Sequence, residues 1–274
     1  MRVKVIACIG SDAPSLLGHF LEHYRALGVD EFVILLHSRG RLDFRTRRIR
    51  HVLAGHGLAP RDIWRGTFNT QEKDRRLDAL WTRWITPTDW VLPCDEDEFR
   101  LFPGGMKVFF EHCDRIGCDC INGKLLDRLA PDGRLPAITD TPSIWEQFPL
   151  GSRLSADLLG ACIDKVVACR GHLRPGTGHH FITTDRPAQG AHPACLNVHH
   201  FKWDRTAPRR LRHRVRVFKK LGYHWVVQSE KAISFLREHG GRFPPEHPQV
   251  NAVRIDRSNV IAGSEADPAA GQPV

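Results

Sequence analysis

Four acids follow the apolar run Trp90-Val91-Leu92, in the segment Cys94-Asp95-Glu96-Asp97-Glu98-Phe99. Carboxylates at the end of what reads as a buried strand gain nothing from packing, whereas a cation would satisfy them. In an extended chain Asp95 and Asp97 point to one face and Glu96 and Glu98 to the other, which sets alternate acids roughly 7 Å apart at the backbone. Such a spacing suits one divalent ion. Hard carboxylate oxygens select Mg2+ or Mn2+ over zinc, and these ions keep positions open for water and substrate phosphates. The competing explanation is an acidic surface turn. Position argues against it, because ligands of open α/β sheets bind beyond the carboxyl ends of the strands.

The elements before the acids fit such a sheet. Strands are predicted at Val3 to Ile9, Phe32 to Leu36, Asp62 to Trp64 and Trp90 to Leu92, recurring about every thirty residues as βα units do. Between them, Leu16, Leu17, Phe20, Leu21, Tyr24 and Leu27 form a helical stripe that stops at Gly28. A second helix runs through Ile49, Val52 and Leu53, and a third through Leu77, Leu80, Trp81 and Trp84, ending before Pro87. The expected product is a mostly parallel, doubly wound α/β sheet. Its right-handed crossovers would bring Cys8 to Gly10, His37 to Gly40, Arg65 to Phe68 and Asp95 to Glu98 to one edge. Further on, Met106 to Ile116 reads as a helix and Cys118 to Leu129 as a strand before the Pro131-Asp132-Gly133 turn. Lys165 to Cys169 and Leu196 to Trp203 read as strands. Two late helices follow, one through Leu211, Val215 and Phe218, the other through Ala232, Ile233 and Leu236. Periodicity is lost from Asn259 onward.

Four blocks, in order, resemble bacterial glycosyltransferase family 2-like proteins of the GT-A fold, over roughly residues 3 to 240. They are Phe20 to Asp30 (FLEHYRALGVD), the D-x-D-like Asp95 to Phe99, Trp145-Glu146-Gln147-Phe148-Pro149, and Val198-His199-His200-Phe201-Lys202-Trp203. The resemblance implies a Rossmann-like GT-A domain over residues 1–258. Its nucleotide-binding half would cover about 1–130 and a smaller acceptor-binding part about 131–258, before a disordered tail at 259–274. It also implies sugar transfer from a nucleotide-diphosphate donor, with Mn2+ or Mg2+ bridging Asp95, Asp97 and the diphosphate.

Transfer leaves negative charge on the departing phosphate, and a metal held by two carboxylates neutralises it as it develops. Lys73 and Lys202 are candidate basic helpers. In the GT-A fold a late histidine often completes the metal site, and the resemblance gives that place to His200. Neighbouring residues of a strand face opposite sides, so one member each of His179-His180 and His199-His200 can reach a given site. An inverting transferase needs a carboxylate to deprotonate the acceptor. Glu146, between Trp145 and Phe148, is the first candidate for that base; Asp140 and Asp185 follow. Many family members cradle base and ribose with acids after the first and second strands. Here the loops read Ile9-Gly10-Ser11-Asp12 and Leu36-His37-Ser38-Arg39-Gly40, leaving Gly10 and Asp12 as donor contacts and no acid in the second loop. That departure keeps a non-catalytic nucleotide or glycan binder in view, beside a metal-dependent phosphohydrolase or nucleotidyltransferase.

At 274 residues, 41% hydrophobic and 26% charged, the chain can bury a substantial core. No apolar run approaches the roughly eighteen residues of a membrane span, and Met1 to Ile9 reads as a strand without a secretory pattern, so the expected location is cytoplasmic. The eight cysteines include no C-x-x-C pair, which predicts reduced core thiols. A net charge of +9 points to anionic partners. Arg205 to Lys220 reads as an amphipathic basic helix. It is either a solvated face or a peripheral contact with the inner face of an anionic membrane, where lipid-linked acceptors are found. Nucleic acid is not an expected partner, since no recognition helix or RNP motif accompanies the charge.

Overall fold

The structure, a computed structural model, describes residues 1–10, 13–40, 43–183 and 190–256. Asp12, Asp185 and the predicted tail lie outside the described residues. The first half comprises β1 (Val3–Ile9), α1 (Pro14–Ala26), β2 (Glu31–Ser38), α2 (Phe44–Gly55), β3 (Asp62–Arg65), α3 (Thr70–Trp84), β4 (Trp90–Asp95), β5 (Glu98–Arg100) and α4 (Met106–Arg115). Then come β6 (Cys120–Leu129), α5 (Ile144–Gln147), β7 (Leu150–Ser152), α6 (Leu154–Asp157), β8 (Asp164–Arg170), β9 (Leu196–His200), α7 (Ala207–Lys220), α8 (Val226–Glu238) and β10 (Val253–Arg254).

The four predicted βα strands form parallel neighbours in the order β4-β1-β2-β3. Burial on both faces explains why β1, β2 and β4 read as continuous apolar runs; β3, last in the order, is only partly buried. The stripe of α1 buries Leu16, Leu17, Phe20, Leu21 and Tyr24, and the chain leaves the helix through Gly28, whose φ of 88° lies in the left-handed region. At the start of α3 the Asn69 side chain accepts the Glu72 N–H at 2.7 Å, capping the helix. The helices α1, α2 and α4 pack one face of the sheet, and Leu77, Leu80 and Trp81 of α3 pack the other. Beyond β4 the sheet is mixed: β8 is antiparallel to β4, β6 to β8, β7 to β6 and β10 to β7, while β9 runs parallel to β6. Ten strands in one sheet thus span both halves of the chain. Among the described residues no helix is long and apolar enough to cross a membrane.

The acidic segment is not one extended strand. β4 ends at Asp95, residues 96–97 make a turn, and β5 sets off to pair antiparallel with β9. The expected alternation of Asp95 to Glu98 is therefore replaced by a reversal that returns Glu98 beside Asp95, whose N–H points at Glu98 Oε2 at 3.4 Å. The predicted strand from Leu196 to Trp203 also stops early, at His200. There the Phe201 N–H donates to the Asp97 carbonyl at 2.8 Å, and Trp203 Nε1 donates to Asp127 at 3.0 Å.

Candidate active site

The acids lie where the four parallel strands end. Gly10 leaves β1 close to β2: a side chain there would place its Cβ 3.3 Å from His37 Cβ, and its N–H donates to Glu96 Oε2 at 3.4 Å. At the end of β4, Asp95 faces the ammonium of buried Lys73 across 3.7 Å. Partial burial raises the Asp95 carboxyl, but Lys73 and then Lys165 outweigh it and hold the group far below the usual carboxylate range. The same pairing works on Lys73, where burial opposes the charge and Asp95 more than restores it, so its pKa rises.

Two charged arms flank the turn that follows Asp95. On the inner arm, Glu98 is 1% exposed at its side chain, and Lys165 Nζ stands 2.5 Å from its Oε1. Arg100 reaches its Oε2 at 3.3 Å. Lys165 also donates to the Gly178 carbonyl at 2.8 Å, which fixes the 3-10 turn Thr177–His179 over the acids. His179 itself has a φ of 59°, uncommon for a residue with a side chain. It is buried, its Nδ1 lacks a hydrogen-bond partner, and burial pushes its pKa well below the ordinary value, so the imidazole is neutral. On the outer arm, His200 Nε2 lies 3.5 Å from Asp97 and its Nδ1 lies 3.2 Å from Asp127. Burial and Lys202 work against protonation of His200, but the two carboxylates outweigh them and raise its pKa. Burial raises the Asp97 carboxyl while His200 lowers it, leaving it at about 2. Asp127 is fully buried and accepts from Ser155 N at 2.7 Å and from Trp203 Nε1. Lys202 stands 3.6 Å from Asp127, donates to Ser155 Oγ at 2.8 Å, and has its pKa lowered by burial.

Lys73 and Asp95 thus form one linked pair and Asp97, His200, Asp127 and Lys202 another linked set, the two flanking the turn at 96–97, and Gly10 borders them. Glu146 does not join them. In β5 and β9 the side chains of Glu98 and His200 face the cluster, whereas Phe99 and His199 turn to the opposite face. Trp145 of α5 packs on that opposite face, 6.1 Å from Phe99 and 4.9 Å from His199 between ring centroids. Glu146 is exposed there, and its carboxylate accepts from Ser143 N at 3.1 Å and from Ser143 Oγ in a capping box. Asp140 is likewise exposed. Of the first histidine pair, His179 turns inward, while His180 Nδ1 meets the Asp164 carbonyl at 2.6 Å. Sequence reasoning missed Asp127 and Lys165 altogether. Each sits in its strand beside a residue of opposite charge, Asp127 by Arg128 and Lys165 by Asp164, so no local signal set them apart.

The donor set suits a hard divalent cation. Asp95 and Asp97 are ionised at neutral pH, and the 3.5 Å from Asp97 to His200 is close to the spacing of adjacent ligands, about 3 Å, on an octahedral ion. Among the described residues, the three ligands whose atoms converge, within 4.8 Å of one another, are Asp95, Glu98 and His179 rather than the expected Asp95, Asp97 and His200. There the imidazole is neutral and ready to bind, but both Glu98 oxygens already meet cations. Asp95 belongs to both groups.

No family model and no curated protein matches the chain. Among solved structures, the crystal structure of residues 1–349 of S. aureus TarS, a glycosyltransferase, is similar at a TM-score of 0.37 and 11% identity, covering 88% of this chain and 74% of that one. So distant a likeness carries no chemistry, which rests on the residues above.

Proposed function

We propose that the chain is a metal-dependent glycosyltransferase that moves a sugar from a nucleotide-diphosphate donor to a hydroxyl of a glycan or lipid-linked acceptor. The observation that carries this reading is the pair Lys73–Asp95 beside the linked set Asp97, His200, Asp127 and Lys202, both at the carboxyl edge of four parallel strands. Asp95 and Asp97, with His200, would hold Mn2+ or Mg2+. The ion would supply positive charge to the diphosphate as the sugar leaves. The chain's own residues do the rest. Lys73 adds a fixed cation beside Asp95. Asp127 orients His200 and Lys202 from below. The resemblance of the four sequence blocks to family 2-like glycosyltransferases supports the same reading.

The unpartnered Nδ1 of His179 favours a second ligand set, Asp95, Glu98 and His179, for the same ion. The two sets differ in a measurable way. The carboxylates raise the His200 pKa, so metal must compete with a proton there, whereas burial keeps His179 neutral.

A thermal-shift panel of UDP-, GDP-, TDP- and CMP-sugars, with and without Mn2+, tests the proposal, since a ligand that binds only the folded state raises its melting temperature. A metal-dependent rise with one nucleotide class, lost in Asp97→Asn, is the expected outcome. A rise that survives both Asp95→Asn and Asp97→Asn would sink the site.

A further inference from the structure

A cavity of about 400 Å3 lies between Arg39, at the end of β2, and one face of α7; Arg209, Arg210, Arg212, His213 and Arg216 complete its lining. Its walls are remote in sequence and meet because α7 reaches over the carboxyl edge of the sheet. At one end of α7, Arg210 is tied to Asp204 at 2.8 Å and to the Lys202 carbonyl. Past the other end, the Tyr223 hydroxyl accepts from Thr70 N, at the start of α3, at 3.4 Å. The cavity adjoins the acids, since Arg210 and Arg214 are close enough for their charges to interact with Asp97.

Five guanidiniums, of which Arg210 is offset by Asp204, gather around one concavity, where a bound anion lessens the repulsion between them. The planar guanidinium fork matches the oxygens of a phosphoryl group in pairs of parallel hydrogen bonds. The anion of the proposed donor is accounted for by the carboxylate cluster and its metal, with Lys73 and Lys202 beside it. A second anionic position is left over, on an element of the part that follows the nucleotide half.

Resting on the transferase reading, we propose that this cavity binds a phosphoryl group carried by the acceptor, so that the sugar is transferred to a phosphorylated substrate. The arginines hold that group while its hydroxyl faces the donor across Asp97.

Isothermal titration of the full chain with glucose 1-phosphate, and with glucose as the uncharged control, tests this. Glucose 1-phosphate should bind, more weakly as salt is added because the arginines are largely exposed, and glucose should not. In the Arg212→Ala/Arg216→Ala variant the Kd should rise at least about tenfold, which corresponds to about 1.4 kcal/mol. In Asp97→Asn binding should be equal or tighter, because a negative charge near Arg210 is gone. Unchanged affinity in the double-arginine variant, or loss of binding in Asp97→Asn, would overturn the proposal. So would binding to phosphatidylglycerol vesicles with none to the soluble ester, which would make α7 a membrane contact. Failure of the transferase reading registers separately, as absent nucleotide-sugar binding with this phosphate binding intact.

Discussion

Replacing Lys165 by methionine probes the arm that holds the acids in place. The Lys165 and Glu98 side chains are 4% and 1% exposed and 2.5 Å apart. Breaking a buried pair by removing one partner costs about 3–5 kcal/mol, because the other charge stays buried. Glu98 would keep Arg100 at 3.3 Å and the Asp95 N–H at 3.4 Å, so the loss should fall at the low end, about 3 kcal/mol. In a chain of this size that lowers the melting temperature by about 6–12 °C. Urea unfolding followed by tryptophan fluorescence measures it, with Glu98→Gln and the double variant completing a cycle. Neutralising Glu98 in the Lys165→Met background should recover about 2 kcal/mol, since the charge left behind is then gone. Lys165 also fixes the Gly178 carbonyl next to His179, so the variant should weaken any metal binding that uses His179. A loss below about 1 kcal/mol, or no recovery in the double variant, would refute the view that Glu98 is a buried charge held by Lys165.

The Asp97–His200 pair should also register in pH. The folded Asp97 pKa, about 2, lies below the unfolded value near 3.9, so its contribution is present above about pH 4 and fades as pH falls toward 2; it amounts to at most about 3 kcal/mol. The raised pKa of His200 gives the opposite limb, full below about pH 6.5 and lost as pH climbs through the folded value. Stability against pH in His200→Gln should lose both limbs, and an unaltered profile would rule out the pairing. Glu146→Gln, which keeps a capping hydrogen bond, should leave turnover within about twofold of wild type; a fall of about a hundredfold or more, the scale of general-base loss, would restore Glu146 as the acceptor's base.

The βα half was legible because β1, β2 and β4 are buried on both faces and its helices carry clear stripes and stops. The run from Leu16 to Gly28 marks α1 to within two residues, and the four βα strands pair in parallel as expected. What escaped was decided by long-range pairing. Nothing local announces that the chain reverses between Asp95 and Glu98. The reversal depends on β5 finding β9 a hundred residues away, with Glu98 opposite His200. Asp127 and Lys165 went unread for the same reason, since each is explained only by partners from other strands. His179 was visible as half of a pair, but its inward turn comes from a 3-10 turn rather than the strand alternation assumed. The placing of Glu146 was not legible because flanking aromatics look the same around a sugar platform and around a core edge; Trp145 packs into the core, and Ser143-x-x-Glu146 is a helix-start signature.

The most direct test is to incubate the full chain with Mn2+ and the nucleotide sugar that stabilises it, and to identify the phosphorus-containing product. Release of intact nucleoside diphosphate, reduced at least about a hundredfold in both Asp95→Asn and Asp97→Asn, is the expected result. Nucleoside monophosphate with sugar phosphate would contradict transfer, because the bond broken would lie between the phosphorus atoms, and release undiminished in those variants would contradict the site.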